Sequence, residues 1–214
     1  MIGMMRRRDF LRLGAVALVP ACSEVAVPRA GLPFEIPRIT SNDAFYVVQY
    51  DSIPSIDGSA WRLNIDGLAS RSASLSLDGI MNLPLRDKEH TLQCIGASPR
   101  NQAISNAIWT GIPLTELFAS FEIEIDEAAR YMHLFSADGF INQLETSDLS
   151  DREVWLVTGM NGETLPAAHG FPARLLVSNR YGFKNPKWIT AIEVTNKYPG
   201  GYWEDRGFNW HSGI

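Results

Sequence analysis

The chain has 214 residues, of which 45% are apolar and 20% are charged, and this composition is typical of a globular protein rather than of a disordered chain. Its length suits one packed domain. The formal net charge is −5 and no basic block lies beyond the extreme N-terminus, which excludes a nucleic-acid partner because such partners are bound through a positively charged surface.

The first 22 residues are predicted to be an export signal. Arg6-Arg7-Arg8 precede an apolar run that ends at Ala21 and is too short for a transmembrane helix. The order Arg7-Arg8-x-Phe10-Leu11 resembles a twin-arginine signal, which the twin-arginine export machinery reads as an address. The basic segment of an ordinary secretory signal is the alternative. Under both interpretations we expect a periplasmic or otherwise exported protein.

The chain has two cysteines, Cys22 and Cys94, which lie in different contexts. Cys22 directly follows the apolar run, and the sequence around it is similar to a lipoprotein processing site, so the protein is either lipid-anchored through Cys22 or cut nearby without an anchor. A disulfide between the two is chemically allowed after export, but it would tie the leader to the interior of a predicted strand. Cys94 is therefore expected to be an unpaired thiol that can react or bind a metal.

Residues 23–40 contain three prolines and are predicted to be an extended linker to a domain at residues 41–198, followed by an aromatic tail at 199–214. Short alternating or apolar runs separated by Gly, Pro, Asn and Asp indicate an α+β domain with mixed strands and few short helices. Alternation predicts a strand from Trp61 to Gly67. Further predicted strands are 91–95, 131–136, 154–158, 174–178 and 188–194. A helix is predicted after Ser76 as its cap, a second with Pro113 as its first residue, and a turn at 160–163.

Four segments together resemble the sulfite oxidase-like molybdopterin-binding family. They are Thr91-Leu-Gln-Cys94-Ile-Gly with the following Trp109-Thr-Gly111-Ile-Pro113, then Gly159-Met-Asn161-Gly, then His169-Gly-Phe-Pro-Ala-Arg174, and finally Asn179-Arg-Tyr181-Gly-Phe-Lys184-Asn-Pro-Lys187-Trp188. They occur in the family's order, and the resemblance covers residues 43–208. It implies the α+β sulfite oxidase-like fold and a molybdenum–molybdopterin cofactor.

The resemblance assigns Cys94 as the protein ligand of the metal and as the catalytic residue that tunes it. In this family molybdenum is held by two dithiolene sulfurs of the pterin and by one cysteine thiolate, a soft ligand that suits the metal. Without the neighbouring motifs, Cys94 would be interpreted as a small buried apolar residue, which is the usual state of a free cysteine.

The same resemblance predicts the other cofactor contacts. Arg174 can offer a bidentate guanidinium and Lys187 a point charge to the cofactor phosphate. The alternatives are ordinary surface charges at these two positions, a core position for Tyr46 and a strand-end position for Ser136. The predicted cofactor-binding set is Tyr46, Val47, Cys94, Ser136, His169, Arg174, Lys184, Asn185, Pro186 and Lys187.

Two departures from the family bear on the substrate. Ala97 stands where relatives often carry Asn, and residues 46–50 contain no cation, although sulfite oxidases take part of their sulfite-binding charge from this segment. A sulfite dianion in such a pocket would lose hydration without fixed positive charge, and Arg100 is the one nearby cation that could compensate. Sulfite is therefore disfavoured.

We expect oxygen-atom transfer on a small-molecule substrate, with electrons exchanged with a haem or membrane partner. The alternative is an exported module that binds an anion or the cofactor but has lost turnover. The sequence offers no support for a hydrolase, because it contains no Ser, His and Asp set and no nucleophile motif. The acidic residues 122–127 are predicted to be solvated surface.

Overall fold

The computed structural model describes residues 37–98, 102–151 and 153–208. The predicted export signal with Cys22, most of the predicted linker, and Arg100 lie outside these residues, so those predictions stay as they are. Within the described ranges, no helix is both long enough and apolar enough to cross a bilayer.

Ten strands and three short α-helices make up the described part of the chain. The strands are β1 Arg62–Gly67, β2 Ala73–Ser76, β3 Arg86–Gln93, β4 Ile104–Pro113, β5 Tyr131–Ser136, β6 Ile141–Glu145, β7 Val154–Met160, β8 Glu163–Thr164, β9 Arg174–Val177 and β10 Ile189–Thr195. The helices are α1 Leu77–Met81, α2 Leu114–Ser120 and α3 Asp148–Asp151, with 3-10 turns at Ala167–His169, Gly182–Lys184 and Glu204–Arg206.

The strands form two mixed or antiparallel sheets of five strands each. The first sheet has the order β2-β1-β10-β5-β6, in which only the β1–β10 pair is parallel. The second has the order β3-β4-β7-β8, with β9 also paired to β7, and its pairs are antiparallel. This architecture, with few short helices, confirms the predicted α+β class.

Local sequence explains the first elements along the chain. Leu63 and Ile65 are buried in β1 while the residues between them are exposed, which confirms the strand predicted from alternation. The Ser76 hydroxyl accepts a hydrogen bond of 3.1 Å from the amide of Gly79, so Ser76 is the N-cap of α1 as predicted.

Strand β7 lies at the centre of the second sheet and is buried on both faces. Leu156 packs into the cluster between the two sheets, and Val157 packs into a second cluster on the opposite face of the same sheet. All seven residues of β7 are buried, which explains why its sequence is a continuous apolar run rather than an alternating one. Phe45 and Leu92 of this second cluster also line the cavity described below.

Three differences from the sequence prediction have local causes. Helix α2 begins at Leu114 rather than at Pro113, because Pro113 still pairs with Trp155 as the last residue of β4. Strand β3 ends at Gln93, so Cys94 lies just beyond it. Strand β6 was not predicted because Asn142 and Gln143 are polar yet fully buried, which removes the usual alternation.

Candidate functional site

Cys94 lies at the end of β3, where the chain turns away from the second sheet. Its amide donates to the carbonyl of Ala103 at 2.9 Å, and its carbonyl accepts from the amide of Ala97 at 2.9 Å. These backbone bonds fix the residue independently of its side chain. The thiol is half-buried, unpaired among the described residues, and faces a cavity.

The cavity beside Cys94 has a volume of about 850 Å³, which is within the usual range for a site that binds a small molecule or a cofactor. One end is formed by the loops around His169, Arg174 and Lys187. The mouth is formed largely by aromatic rings. Its lining residues are Phe45, Tyr46, Val48, Gln49, Tyr50, Asp51, Leu92, Cys94, Ile95, Gly96, Asp138, Phe140, His169, Arg174, Gly182, Phe183, Asn185, Pro186, Lys187, Trp188, Tyr202, Trp203, Arg206 and Phe208.

Arg174 is a buried cation at one end of the cavity. Its two terminal nitrogens donate to the carbonyls of His169 and Asn185, both at 3.0 Å, while Nε has no partner among the described residues. No carboxylate of the described chain lies within salt-bridge distance of it. Burial lowers its pKa to about 10, because the guanidinium has lost water without gaining a neutralising anion.

Lys187 is a second cation at the same end. Its ammonium donates to the carbonyl of Ala168 at 2.8 Å and lies 4.0 Å from the ring centre of Trp188. Burial, and then repulsion by Arg174, lower its pKa to about 7. The two cations are brought together by Gly170, whose left-handed φ of 117° suits glycine, and an added Cβ there would lie 3.0 Å from the Cβ of Arg174 and 3.2 Å from that of Lys187.

His169 contributes a neutral ring to this end of the cavity. Its Nε2 donates to the carbonyl of Asn42 at 2.8 Å, which leaves Nδ1 as the acceptor. Burial is the main cause that lowers its pKa to about 4, so the ring carries no charge near neutral pH. The positive charge at this end therefore comes from Arg174 and Lys187.

Tyr46 and the turn at Gly182 join the cationic end to Cys94. A Cβ added to Gly182 would lie 2.9 Å from the hydroxyl oxygen of Tyr46 and 3.8 Å from the Cα of Cys94, so glycine permits this close approach. Burial raises the pKa of Tyr46, and its phenol stays protonated. The thiol, the buried Arg174 and the half-buried Lys187 thus line one cavity.

Seven of the ten predicted cofactor contacts line this cavity, and three do not. The lining residues are Tyr46, Cys94, His169, Arg174, Asn185, Pro186 and Lys187. Val47 lies between lining residues without lining the cavity itself, and the buried Ser136 ends β5 outside the lining. The position of Lys184 differs most clearly from the predicted cofactor contact, because its buried ammonium forms an ion pair with Glu204 and does not face the cavity.

Sequence reasoning missed two groups at the mouth. Tyr202, Trp203 and Phe208 belong to the predicted aromatic tail, to which no place in the site was given. Asp138 lies in the turn between β5 and β6, and burial raises the pKa of its carboxyl. The Asp138-Gly139 pair, which directly follows the predicted strand 131–136, is a turn signal that could have placed a polar group there.

The lowered pKa of the half-buried Lys187 predicts a pH dependence for protein that is free of bound anions. Its pKa of about 7 in the folded chain lies below its ordinary value of 10.5, so between these values the unfolded chain binds more protons than the folded chain. The free energy of unfolding is therefore expected to rise from about pH 7 to about pH 9.

Urea unfolding at the two pH values measures this rise. Lys187→Met should reduce it, whereas Lys197→Met, at an exposed lysine, should not. An undiminished rise in Lys187→Met would show that other groups cause it.

Comparisons with known proteins agree with this geometry. A family model described as the oxidoreductase molybdopterin binding domain matches residues 50–203. The chain is 34% identical over 163 residues to a protein of Azospira oryzae whose name proposes a protein-methionine-sulfoxide reductase subunit, YedZ1, and the match covers 76% of this chain and 60% of that protein. It is 28% identical over 193 residues to mitochondrial sulfite oxidase of Homo sapiens, covering 79% of this chain and 35% of the oxidase.

Among solved structures, the sulfane dehydrogenase SoxCD from Paracoccus pantotrophus shares the fold. The TM-score is 0.68 at 23% sequence identity, and the match covers 74% of this chain and 44% of that chain. The chain therefore spans 60% of the length of the Azospira protein and about a third of that of human sulfite oxidase.

Proposed function

This chain belongs to the sulfite oxidase-like family of oxidoreductase molybdopterin-binding domains, and we propose that it transfers an oxygen atom between a small substrate and a molybdenum centre. One observation carries the proposal: the thiol of Cys94, the buried Arg174 and the half-buried Lys187 line the same cavity. The cofactor of the family needs both features, a thiolate for its metal and positive charge for its phosphate.

The cationic end fits the phosphate of this cofactor. Arg174 and Lys187 are both desolvated, and no described carboxylate lies within salt-bridge distance of either, although Asp138 attracts Lys187 from a longer distance. A bound phosphate would add the negative charge that Arg174 lacks. The Nε of Arg174 is a buried donor without a described acceptor. In the described ranges, no group of three or more His, Cys, Asp and Glu side chains could hold a metal, whereas the cofactor needs one protein ligand. Cys94 would be that ligand.

When bound, the molybdenum centre supplies two-electron oxygen-atom exchange with the substrate. The residues of this chain hold the cofactor and shape the space beside it. Cys94 binds and tunes the metal, Arg174 and Lys187 hold the phosphate, and His169 offers its free Nδ1 as an acceptor. The aromatic rings at the mouth exclude water from the reacting groups.

We propose reduction of a neutral sulfoxide or similar oxide rather than oxidation of sulfite. The mouth carries two carboxyls, Asp51 and Asp138, and one described cation, Arg206, whose guanidinium lies 3.7 Å from the ring centre of Tyr202. This balance of charge does not favour a dianion. The name of the Azospira relative supports a sulfoxide as substrate.

Reduction of a sulfoxide consumes two electrons and two protons and yields a sulfide and water. Asp138 is the carboxyl of the cavity wall that we propose as the proton relay, and burial raises its pKa above that of an exposed aspartate. Its Oδ1 accepts from the amide of Phe140 at 3.1 Å, which orients the group at the cavity wall. The electrons would come from a haem or membrane partner, and the word subunit in the name of the Azospira relative supports an external carrier.

The place of this reaction is part of the same proposal. The twin-arginine-like sequence around Arg7 and Arg8 supports export to the periplasm, and Cys22 supports a lipid anchor. Mass spectrometry of the mature N-terminus would distinguish an acylated Cys22 from a signal cut elsewhere.

A substrate panel tests the proposed reaction. Protein purified after native export should contain about one molybdenum atom per protein chain. It should reduce sulfoxides with a reduced dye as electron donor. We expect sulfite oxidation with a dye acceptor to be at least about tenfold slower, because the described residues at the mouth include one cation, Arg206, and no cluster of them. Faster oxidation of sulfite than reduction of any oxide would overturn the substrate assignment. Metal-free protein from a cofactor-competent host would instead support the binding module without turnover.

A further inference from the structure

A buried ion pair joins the C-terminal aromatic segment to the wall of the cavity. The Nζ of Lys184 lies 2.5 Å from Oε1 of Glu204, and both side chains are only 1% exposed. Lys184 also donates to Oδ1 of Asn142 at 3.1 Å and to the carbonyl of Gln143. The pair is therefore held from several sides, in a place where neither charge can reach water.

The two partners belong to two separate segments of the chain, and each segment contributes other residues to the lining of the cavity. Lys184 is flanked by Phe183 and Asn185, which both line the cavity, and the carbonyl of Asn185 accepts from Arg174 at 3.0 Å. Glu204 belongs to residues 202–208, which we call the aromatic strap. Tyr202, Trp203, Arg206 and Phe208 of this strap line the mouth. The ion pair thus connects the strap to the loop that supports the cationic end.

The remaining contacts of the strap lie closer to the surface. The amide of Tyr202 donates to the carbonyl of Ile141 at 3.1 Å, and its ring packs edge-on against Tyr50 with a centroid distance of 4.6 Å. Trp203 contacts Phe208, whose exposed fraction is 37%. Such half-exposed contacts open at lower cost than a fully buried ion pair, because separating the pair leaves two desolvated charges.

The backbone before the strap is shaped to admit the carboxylate of Glu204. Gly201 is buried, and a Cβ at this position would overlap Oε2 of Glu204. Any side chain here would therefore push the carboxylate away from Lys184. Two separate features of the sequence, a glycine at 201 and an acid at 204, serve the same contact.

We infer that the Lys184–Glu204 pair holds the aromatic strap as a fixed wall of the cavity, and that this wall selects which substrates reach Cys94. The selection of substrates rests on the proposed oxidoreductase function. The closed position of the strap does not depend on that function. Glu204 is a positioning residue, because it acts through Tyr202 and Trp203 and does not line the cavity. A released strap should admit bulky substrates that the closed wall rejects.

Limited trypsin digestion tests the closure without any substrate. In Glu204→Ala, cleavage after Arg206 should be at least about tenfold faster than in the wild type, because proteolysis follows the population of the open strap. Cleavage after Arg71 and Arg130, which are exposed and distant from the strap in sequence, should stay unchanged and reports on the rest of the fold. Glu204→Gln keeps an acceptor at Oε1 and should therefore retain most of the wild-type protection against cleavage after Arg206.

Gly201→Ala provides a second route to the same result if Glu204→Ala does not fold. It displaces the carboxylate while leaving both charges in the chain, so it should also release the strap and speed cleavage after Arg206. Unchanged cleavage after Arg206 in whichever of these variants folds would overturn the inference. Equal acceleration at Arg71 and Arg130 would also overturn it, because the pair would then stabilise the whole fold rather than the strap.

Substrate size gives the functional readout in the holoenzyme. The ratio of kcat/KM for methyl p-tolyl sulfoxide to that for dimethyl sulfoxide should rise at least about fivefold in Glu204→Ala, mainly through KM, while kcat for dimethyl sulfoxide changes less than about twofold. A constant ratio with a released strap would refute the selection of substrates. If the wild type reduces neither sulfoxide, the proposed reaction fails, and the trypsin comparison alone then decides whether the pair holds the strap.

Discussion

Cys94→Ser is expected to lose most of its molybdenum and to lower turnover by roughly a hundredfold or more, because even groups that only support metal ligands change metal affinity or activity by about 10- to 100-fold. A serine hydroxyl is a hard, protonated oxygen at neutral pH and does not replace a thiolate for this metal. The backbone bonds of residue 94 to Ala103 and Ala97 do not depend on the side chain, so the fold should persist. Elemental analysis, dye-coupled turnover and urea unfolding measure the three effects.

Ile95→Val is the matched control for this prediction. Ile95 follows Cys94, lines the same cavity and is 39% exposed, but it has no ligand atom. It should keep its molybdenum and its turnover. If Cys94→Ser retained metal and more than half of the wild-type turnover, Cys94 would not be the protein ligand. The site would then need a different assignment.

Arg174→Met is expected to reduce cofactor content at least about tenfold, comparable to the loss of a supporting group at a metal site. Methionine has a similar length and no charge, so it fills the space and removes the donor to the phosphate. Arg174→Lys should retain more cofactor than the Met variant but less than the wild type, because an ammonium keeps the charge and loses the planar fork. The fluorescence of the released and oxidised pterin, normalised to protein, measures the content.

Arg130→Met is a suitable control because this arginine also donates to two backbone carbonyls. Its Nη1 bonds the carbonyls of Glu127 and Ala129, at 2.9 and 3.0 Å, on an exposed part of the chain outside the cavity lining. Cofactor content should not change in this variant. Full cofactor content in a folded Arg174→Met protein would mean that Arg174 is a structural cation that fastens the His169 and Asn185 loops and takes no part in binding.

The place of Lys184 shows how a motif residue can take another role. The resemblance predicted that it contacts the cofactor, together with its neighbours Asn185, Pro186 and Lys187. These neighbours line the cavity, whereas the Lys184 side chain points into the protein and pairs with Glu204. Burial is the main cause that lowers the pKa of Lys184, and Glu204 opposes that effect. Sequence proximity to a binding loop thus did not determine the direction of the side chain.

Local chemistry was enough to predict several elements. The alternation around Leu63 and Ile65 places β1, and the hydroxyl of Ser76 caps α1, because both depend on residues within a few positions of each other. The apolar run at Val154–Met160 also predicts a strand. By contrast, β6 carries Asn142 and Gln143 in its interior, and the buried position of these side chains depends on distant partners such as Lys184.

The α+β class, the unpaired thiol at Cys94 and, through the motifs, the family and its cofactor can be predicted from the amino-acid sequence. These features are encoded by residue type, by short-range periodicity and by the order of motifs. The folded chain was needed to show that Arg174 and Lys187 share a cavity with Cys94, that Lys184 faces Glu204, and that the aromatic tail forms the mouth. The reason is physical: the direction and hydration of a side chain are set by packing between segments that lie far apart along the chain, and burial then sets the pKa of each group.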